Sequence, residues 1–397
     1  MNDLETRLAE LLKAGVGDPP QRVTVQAVRR QHVRRQVITG VTAIALIALL
    51  AGVSASLLAR LGGAGPAVRP SLPAGIPRYY VQEASQQGFG TVVRATATGR
   101  VTATVRCPWR NAAPEIYPIA GASGQRFFMV CTADTRQAPG QARIYRFQVT
   151  SSGQVRSYAL IPGGQLGNVS VGPMAVASDG SSVAVIVAPP RTGPGTTPQA
   201  KIIVINTRTG AHALWRNAPP GSNVSRFRLF DVSFTTHGRE LVFLGTQVCG
   251  SGTHPRDCQP LHQQVRALSP PADGGSLNAG HKLLDTAEAG TSRFITDAVV
   301  SADGSTLTLV TVNVPPKPQP STVTVSQTST GSHAQRVIYQ TQGSSGLEPD
   351  VFLSADASGR QFLITAGPVA NRSNGWIHDG KLIELKPPGA QVFYEAW

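Results

Sequence analysis

The hydrophobic pattern of the chain is continuous in only one place, near the N-terminal end. Val37 to Ala59 form an apolar run of 23 residues that contains no charged side chain. As a helix this run measures roughly 34 Å, which is enough to cross a hydrocarbon core of about 30 Å. The pattern therefore predicts one transmembrane helix over residues 37–59.

The charges that flank this run predict its direction. Four arginines lie within eight residues before it, namely Arg29, Arg30, Arg34 and Arg35. In the linker that follows it, residues 60–77, the basic residues are only Arg60 and the more distant Arg69. The positive-inside rule then puts residues 1–36 in the cytoplasm and the rest of the chain outside, in a single-pass cell-membrane protein. A cleaved signal peptide is the alternative, but a 36-residue leader and so long an apolar core argue against it.

The predicted cytoplasmic tail carries a helical stripe of leucines. Leu4, Leu8, Leu11 and Leu12 recur at the spacing of one helix face, and Gly15 ends the pattern. Because a single amphipathic helix cannot bury its own apolar face, this face predicts docking to a cytoplasmic protein or to the inner leaflet. A tail without a partner is the alternative.

After a Gly- and Pro-rich linker, residues 60–77, the pattern changes to short strands that repeat to residue 397. One motif is an apolar strand, a turn that ends in glycine, and a second apolar strand. It occurs at Gly124, Gly180, Gly238, Gly304 and Gly359, in steps of 56, 58, 66 and 55 residues. Glycine in such turns supplies the positive φ of a tight hairpin, and continuous apolar strands indicate burial on both faces.

A second motif lies between the copies of the first and alternates polar with apolar residues, as a hairpin with one wetted face does. Its turns are at Gly99, Gly153, Gly210, Gly274, Gly331 and Gly389. Four strands every 55 to 60 residues indicate a blade of an all-β propeller. We predict six blades over residues 78–397, with seven blades or a pair of β-sandwiches as alternatives, and an insertion at Cys249 to Leu261.

The turn sequences Ser178-Asp179-Gly180 and Ser301 to Gly304 resemble the repeat of TolB-like propellers, which are related to the WD-repeat fold. The whole layout, with Thr96 to Gly99 and the terminal Ala396-Trp397, resembles a group of uncharacterised actinobacterial single-pass membrane proteins. The resemblance implies an extracytoplasmic propeller. It also implies a sensing role, because some members are encoded beside extracytoplasmic-function sigma factors.

Composition agrees with an all-β domain, since the 397 residues include 41 Gly and 30 Pro but only 15% charged residues. The formal net charge is +14. The charges are scattered, and the one dense arginine cluster is explained by the membrane segment, so nucleic acid is not an expected partner.

The four cysteines are expected to form two disulfides, because an exported domain lies in an oxidising compartment. The candidates are Cys107, Cys131, Cys249 and Cys258. A Cys249–Cys258 bridge would close the inserted loop. A metal site is the alternative, with Cys249, His254, Cys258 and His262 as ligands, but their spacing matches no standard zinc finger.

The hydrolase motifs G-x-S-x-G and H-E-x-x-H do not occur in the sequence, and Asp179 and Asp303 fit turns better than catalysis. No cofactor is expected. We expect a noncatalytic, membrane-anchored module for binding or sensing. The alternatives are a cell-envelope structural or adhesion protein and a hydrolase with an acidic and basic cluster in the propeller funnel.

Overall fold

The computed structural model describes residues 72–397. Its gaps are residues 74, 84–89, 109–118, 133–140, 190–198, 219–225, 236–238, 249–261, 270, 288–292, 302, 317, 331, 333, 346–349, 357–360, 368–372, 379–380 and 386–394. The predicted tail face (Leu4, Leu8, Leu11, Leu12), the arginines Arg29 to Arg35, the helix Val37 to Ala59 and the Cys249–Cys258 bridge lie outside the described residues. The described part of the chain contains no helix with the length and apolar character that a membrane crossing requires.

The described strands form six mainly antiparallel sheets, numbered here as blades 1 to 6 in chain order. Blade 1 contains β1 (Tyr79–Glu83), β2 (Gly90–Ala95), β3 (Val101–Arg106) and the C-terminal β25 (Glu395–Ala396). Blade 2 contains β4 (Ile119–Ala122), β5 (Arg126–Thr132), β6 (Gln141–Val149) and β7 (Val155–Asn168). Blade 3 contains β8 (Ser170–Val176), β9 (Ser182–Ala188), β10 (Lys201–Asn206) and β11 (His212–Arg216).

The second half of the ring repeats this plan. Blade 4 contains β12 (Arg226–Phe234), β13 (Leu241–Val248), β14 (His262–Leu268) and β16 (His281–Ala287). Blade 5 contains β17 (Arg293–Val300), β18 (Thr306–Asn313), β19 (Pro320–Ser329) and β20 (Arg336–Ser345). Blade 6 contains β21 (Asp350–Ala355), β22 (Phe362–Gly367), β23 (Ser373–His378) and β24 (Lys381–Glu384).

The hydrophobic core consists of six clusters, and each lies between neighbouring blades. Phe127 of blade 2 packs with Val81 of blade 1, for example, and Phe243 of blade 4 packs with Trp215 of blade 3. The sixth cluster joins blade 6 to blade 1 through Trp376 and Tyr80. The blades therefore close into a ring. The fold is a six-bladed β-propeller, as the repeat predicted.

The C-terminal strand completes the first blade. β25 pairs antiparallel with β1 through Val81 and Ala396, so the ring closes by hydrogen bonds between the two ends of the propeller. The sequence interpretation was wrong here, because it placed the C-terminal segment around Gly389 in an outer hairpin. β24 and β25 belong to different blades, and the outer hairpin of blade 6 is β23–β24. Leu72 and Ile76, from the end of the predicted linker, also pack into the closing cluster.

The predicted outer hairpin at Gly274 is also different in the structure. Its first strand is β14, but the partner strand is β16, which begins only at His281. The intervening β15 (Gly275–Ser276) pairs with β11 of blade 3, and a 3₁₀ turn (Leu277–Ala279) follows it. Trp215 of blade 3 holds this connection between β14 and β16, since its indole N–H donates a hydrogen bond to the Pro271 carbonyl and its ring is buried.

Candidate functional site

The inner strands of blades 2 to 6 line a cavity of about 200 Å³ along the axis of the ring. Its wall is mixed, with apolar residues such as Met174 and Val300 beside polar ones such as Ser233 and Thr296. Its titratable side chains are Asp231, Asp297 and Asp356, and the described lining includes no Lys, Arg or His. The converging acidic and basic cluster that a funnel hydrolase would need is therefore not present among the described residues.

Asp231 and Asp297 occupy equivalent positions on β12 and β17. In each strand the pairing register shifts immediately before the aspartate, at Phe230 in blade 4 and at Thr296 in blade 5. A β-bulge rotates the side chain that follows it, and bulges are common beside functional sites. The two bulges therefore bring two carboxyl groups to the same wall of the channel.

Each carboxyl group also accepts a backbone hydrogen bond from the next blade. Asp231 Oδ2 accepts from the Ala298 N–H at 3.2 Å, and Asp297 Oδ2 accepts from the Leu353 N–H at 2.7 Å. Gln263 of blade 4 also binds blade 5, because its side chain donates a hydrogen bond to the Ile295 carbonyl and accepts one from the Ile295 N–H. The carboxyl pair is therefore held by blades 4, 5 and 6 together.

The two carboxyl groups affect each other's pKa. Burial and the neighbouring charge of Asp297 raise the pKa of Asp231 well above its ordinary value. Burial also raises the pKa of Asp297, although hydrogen bonds from Asp231 and from the Leu353 N–H oppose that shift. Two carboxylates this close cannot both ionise easily, so the pair is expected to keep one proton to a higher pH than an isolated aspartate does.

One oxygen of the pair has no protein partner among the described residues. Asp297 is only 7% exposed, and its Oδ1 is buried without a hydrogen bond. A buried polar atom left unpaired destabilises a fold by about 1–3 kcal/mol, so such atoms are few in native proteins and call for an explanation. At the wall of a cavity, the explanation we favour is a ligand.

The pair predicts an unusual dependence of stability on pH. A carboxyl whose pKa is higher in the folded than in the unfolded state, where it is about 3.9, stabilises the fold at low pH and loses that contribution as the pH rises. Asp231→Asn places an amide donor where the protonated acid stands, so the variant should lose less stability than wild type between pH 5 and pH 8. Urea unfolding across that range measures the difference.

Asp303→Asn is the matched control for this prediction. Hydrogen bonds from the Ser301 hydroxyl and from the Ser305 N–H and hydroxyl lower the pKa of Asp303 to about 2. A carboxyl group whose pKa is lowered in the folded state stabilises the fold above about pH 4, and this contribution is lost only as the pH falls towards 2. The free energy of unfolding of this variant should therefore change with pH as that of wild type does from pH 5 to pH 8. If Asp231→Asn also ran parallel, the carboxyl pair would not hold a proton.

The structure assigns turn roles to both aspartates of the repeat motif, as predicted. Asp179 Oδ1 accepts the Ser181 N–H at 2.8 Å, and Asp303 holds the corresponding turn in blade 5. Gly180 and Gly304 complete these turns with φ angles of 70° and 74°. Neither aspartate lines the channel.

The four candidate cysteines are only partly described. Cys107 and Cys131 form a disulfide that links the end of β3 in blade 1 to β5 in blade 2. Trp215, Trp376 and Trp397 are buried between blades, and Trp109 lies outside the described residues.

A second recess lies between blades 2 and 3 and is basic. Arg126, Arg146 and Arg208 line it together with Asp179. Arg126 is committed to the fold, since its guanidinium donates to the Asp179 carbonyl at 2.7 Å and to the Ser123 carbonyl at 3.1 Å. This recess is a candidate contact for anions.

Sequence reasoning missed the channel carboxyls, although the sequence does carry a signal for them. Asp231 and Asp297 each lie seven residues before a turn glycine, Gly238 and Gly304, and each follows an Arg-Phe pair. Aligning the blades on their turn glycines would have shown two aspartates at one inner-strand position. Their proximity depends on the ring, which a linear pattern does not contain.

Comparisons with known proteins find only distant structural similarity. No family model and no curated protein matches the chain. A TolB from Agrobacterium tumefaciens is 13% identical, with a TM-score of 0.43 over 78% of this chain and 88% of that one. Prolyl oligopeptidase B from Galerina marginata, bound to a 25mer macrocyclization substrate, is 12% identical, with a TM-score of 0.39 over 71% of this chain and 38% of that one.

A structure from a study of two prolyl endopeptidases gives a TM-score of 0.38 at 17% identity, and the match covers 68% of this chain. The chain spans only 36% of the length of that structure. All three TM-scores lie below 0.5, so the fold is assigned from the six sheets themselves.

Proposed function

We propose that the protein is a noncatalytic extracytoplasmic binding or sensing module that holds a small ligand in the channel of its propeller. The observation that supports this most directly is the buried, unpartnered Oδ1 of Asp297 at the wall of the channel cavity. The ring holds this atom rigidly, since β17 pairs along its length with β18 and its bulge is fixed from blades 4 and 6. A preformed cavity with polar groups at fixed positions is typical of small-molecule sites.

Membrane anchorage is the second part of the proposal. It rests on the apolar run Val37 to Ala59 and on the arginines before it. In this arrangement the propeller presents its channel outside the cell, and the leucine face of the tail is available to a cytoplasmic partner. Cell-membrane localisation with the N-terminus inside follows from the same residues.

A hydrolase with its site in the channel is less well supported than a binding module. A pair of carboxyls with a shared proton is a known acid–base arrangement, which favours the hydrolase. Cavity size argues the other way, because ligand sites for drug-sized molecules occupy about 300–1,000 Å³, and this cavity measures about 200 Å³. Both carboxyls are also committed as acceptors to the next blade.

A screen of small molecules against the full chain tests the channel site. The panel contains cationic, neutral and anionic compounds of a few carbon atoms, and binding is measured as a shift of the urea midpoint. A ligand at 100 times its Kd stabilises by about 2.7 kcal/mol. We expect at least one class to stabilise wild type and Asp303→Asn, and to lose its effect in Asp231→Asn or Asp297→Asn. If no class distinguished the channel variants from the control, the proposal would fail.

The envelope-adhesion alternative is favoured by the basic recess of Arg126, Arg146 and Arg208. Attachment to anionic polymers through this recess would weaken steeply with salt and would be indifferent to channel variants. The same panel of variants, assayed with an anionic wall polymer at two salt concentrations, separates the two functions.

A further inference from the structure

The walls of the channel indicate which chemical class of ligand it holds. The charge of the lining favours a cationic ligand, because its described titratable side chains are all carboxylic acids: Asp231, Asp297 and Asp356. Asp356 Oδ1 accepts the Gln361 N–H directly after β21, whereas Asp297 is buried with one oxygen that has no hydrogen bond. A ligand that meets Asp297 Oδ1 must donate a hydrogen bond, and a positive charge would strengthen that bond.

The other charged side chains near the pair lie away from the cavity. On β12, on β17 and on the strands packed against them, the described ones that do not line it are Arg226, Arg228, Arg293, His262 and Arg266. His262 is paired with Asp285, and the Arg266 guanidinium donates to the carbonyls of Asn278 and Gly280. The side chain of Asp350, on β21, lies outside the described residues.

The composition of the wall favours an organic cation over a metal ion. Calcium takes six to eight oxygen ligands and magnesium requires near-octahedral oxygen coordination. Within the described residues no group of three or more metal-binding side chains converges. The lining is mixed, since apolar residues such as Met174 and Val300 occur beside small polar ones such as Ser233 and Thr296. Such a wall suits a small organic ligand that has an apolar body and a polar head.

Volume limits the size of that body. A cavity of about 150 Å³ holds benzene, and drug-sized ligands need about 300 Å³ or more. The channel cavity, at about 200 Å³, lies between these values. It fits a ligand with a chain of a few carbon atoms.

We propose that the channel binds a small primary alkylammonium ion, whose N–H groups donate to Asp297 Oδ1 and whose positive charge is balanced by the carboxyl pair of Asp231 and Asp297. This inference rests on the proposed function and names its ligand class. The ligand undergoes no covalent change, because the ammonium ion enters with its three N–H bonds intact. Binding displaces the proton of the pair: one carboxyl O–H bond ionises, and its proton passes to the solvent.

Isothermal titration of the full chain with butylammonium, 1-butanol and butyrate tests the inference. Each titration is carried out at pH 7 in two buffers that differ in ionisation enthalpy, so that the number of protons released on binding is measured directly. We expect butylammonium to bind wild type with release of about one proton, and at least about tenfold more tightly than the neutral or the anionic compound. Its affinity should rise with pH, because the proton competes with the ligand.

Two isosteric variants separate charge from proton release. Asp231→Asn removes the proton but keeps the Asp297 carboxylate, so it should bind butylammonium without releasing a proton. Asp297→Asn removes the receiving carboxylate, so it should bind at least about tenfold more weakly. Asp303→Asn should behave as wild type.

Three results would overturn the inference: equal binding of butylammonium and butanol, binding without proton release in wild type, or unchanged affinity in Asp297→Asn. If another class of compound bound through the channel while butylammonium did not, the ligand assignment would fall and the channel site would remain. If none of the compounds responded to the channel variants, the proposed function would fall with it.

Discussion

Replacing Trp397 by alanine is expected to destabilise the propeller by about 3–5 kcal/mol, the usual effect of truncating a buried tryptophan. Trp397 is 4% exposed and lies in the cluster that joins blade 6 to blade 1, with its ring centroid 6.4 Å from that of Trp376. It follows directly after β25, so its loss also weakens the pairing of β25 with β1. Urea unfolding of the full chain measures the effect as a lower midpoint.

Val337→Ala is the control for this prediction. Val337 lies on the outer strand β20 and is 54% exposed, so its truncation should change stability by no more than about 0.5 kcal/mol. Gly121 provides an independent sign that the C-terminus is seated in the ring, because a Cβ at this position would clash with the backbone oxygen of Trp397. If Trp397→Ala were as stable as Val337→Ala, the ring would not depend on its C-terminal strand.

Replacing both Cys107 and Cys131 by serine is expected to destabilise the protein by about 3 kcal/mol. The two residues are 24 positions apart, and a crosslink that closes a loop of this length restricts the unfolded chain by about that amount. The disulfide also joins blades 1 and 2, and Cys131 is fully buried. The measurement is the urea midpoint of the double variant against wild type under oxidising conditions.

Reductant separates the crosslink from the packing of the two side chains. Wild type treated with dithiothreitol should unfold at nearly the urea concentration of the double variant, and the variant itself should respond much less to the treatment. A wild type that kept its midpoint after complete reduction of Cys107–Cys131 would contradict a stabilising role for the bridge.

The blade repeat was predictable because each blade of a propeller is one continuous stretch of chain with the same hairpin pattern. Turn glycines such as Gly124, Gly180 and Gly304 mark one hairpin per blade, and the apolar strands beside them are buried on both faces in the structure. The turn roles of Asp179 and Asp303 followed from the same local chemistry. Local signals of this kind act within a few residues and survive in a single sequence.

Features that depend on ring closure were not predictable in the same way. The segment that ends in Ala396 has the sequence pattern of an outer strand, and this pattern does not depend on which blade the segment pairs with. It could therefore not show that the segment belongs to blade 1. Asp231 and Asp297 are 66 residues apart in sequence, and only the packing of β12 against β17 brings their carboxyls together. Their raised pKa values arise from that packing and from burial, which composition does not report.

Infrared difference spectroscopy of the full chain tests most directly whether the channel holds a protonated carboxyl pair. At pH 7 wild type is expected to show the carbonyl stretch of one buried carboxylic acid, and the band should be absent from Asp231→Asn and present in Asp303→Asn. Saturation with butylammonium should remove the band from wild type. A spectrum without a carboxylic acid band at pH 7, or a band that persists in Asp231→Asn, would contradict the account.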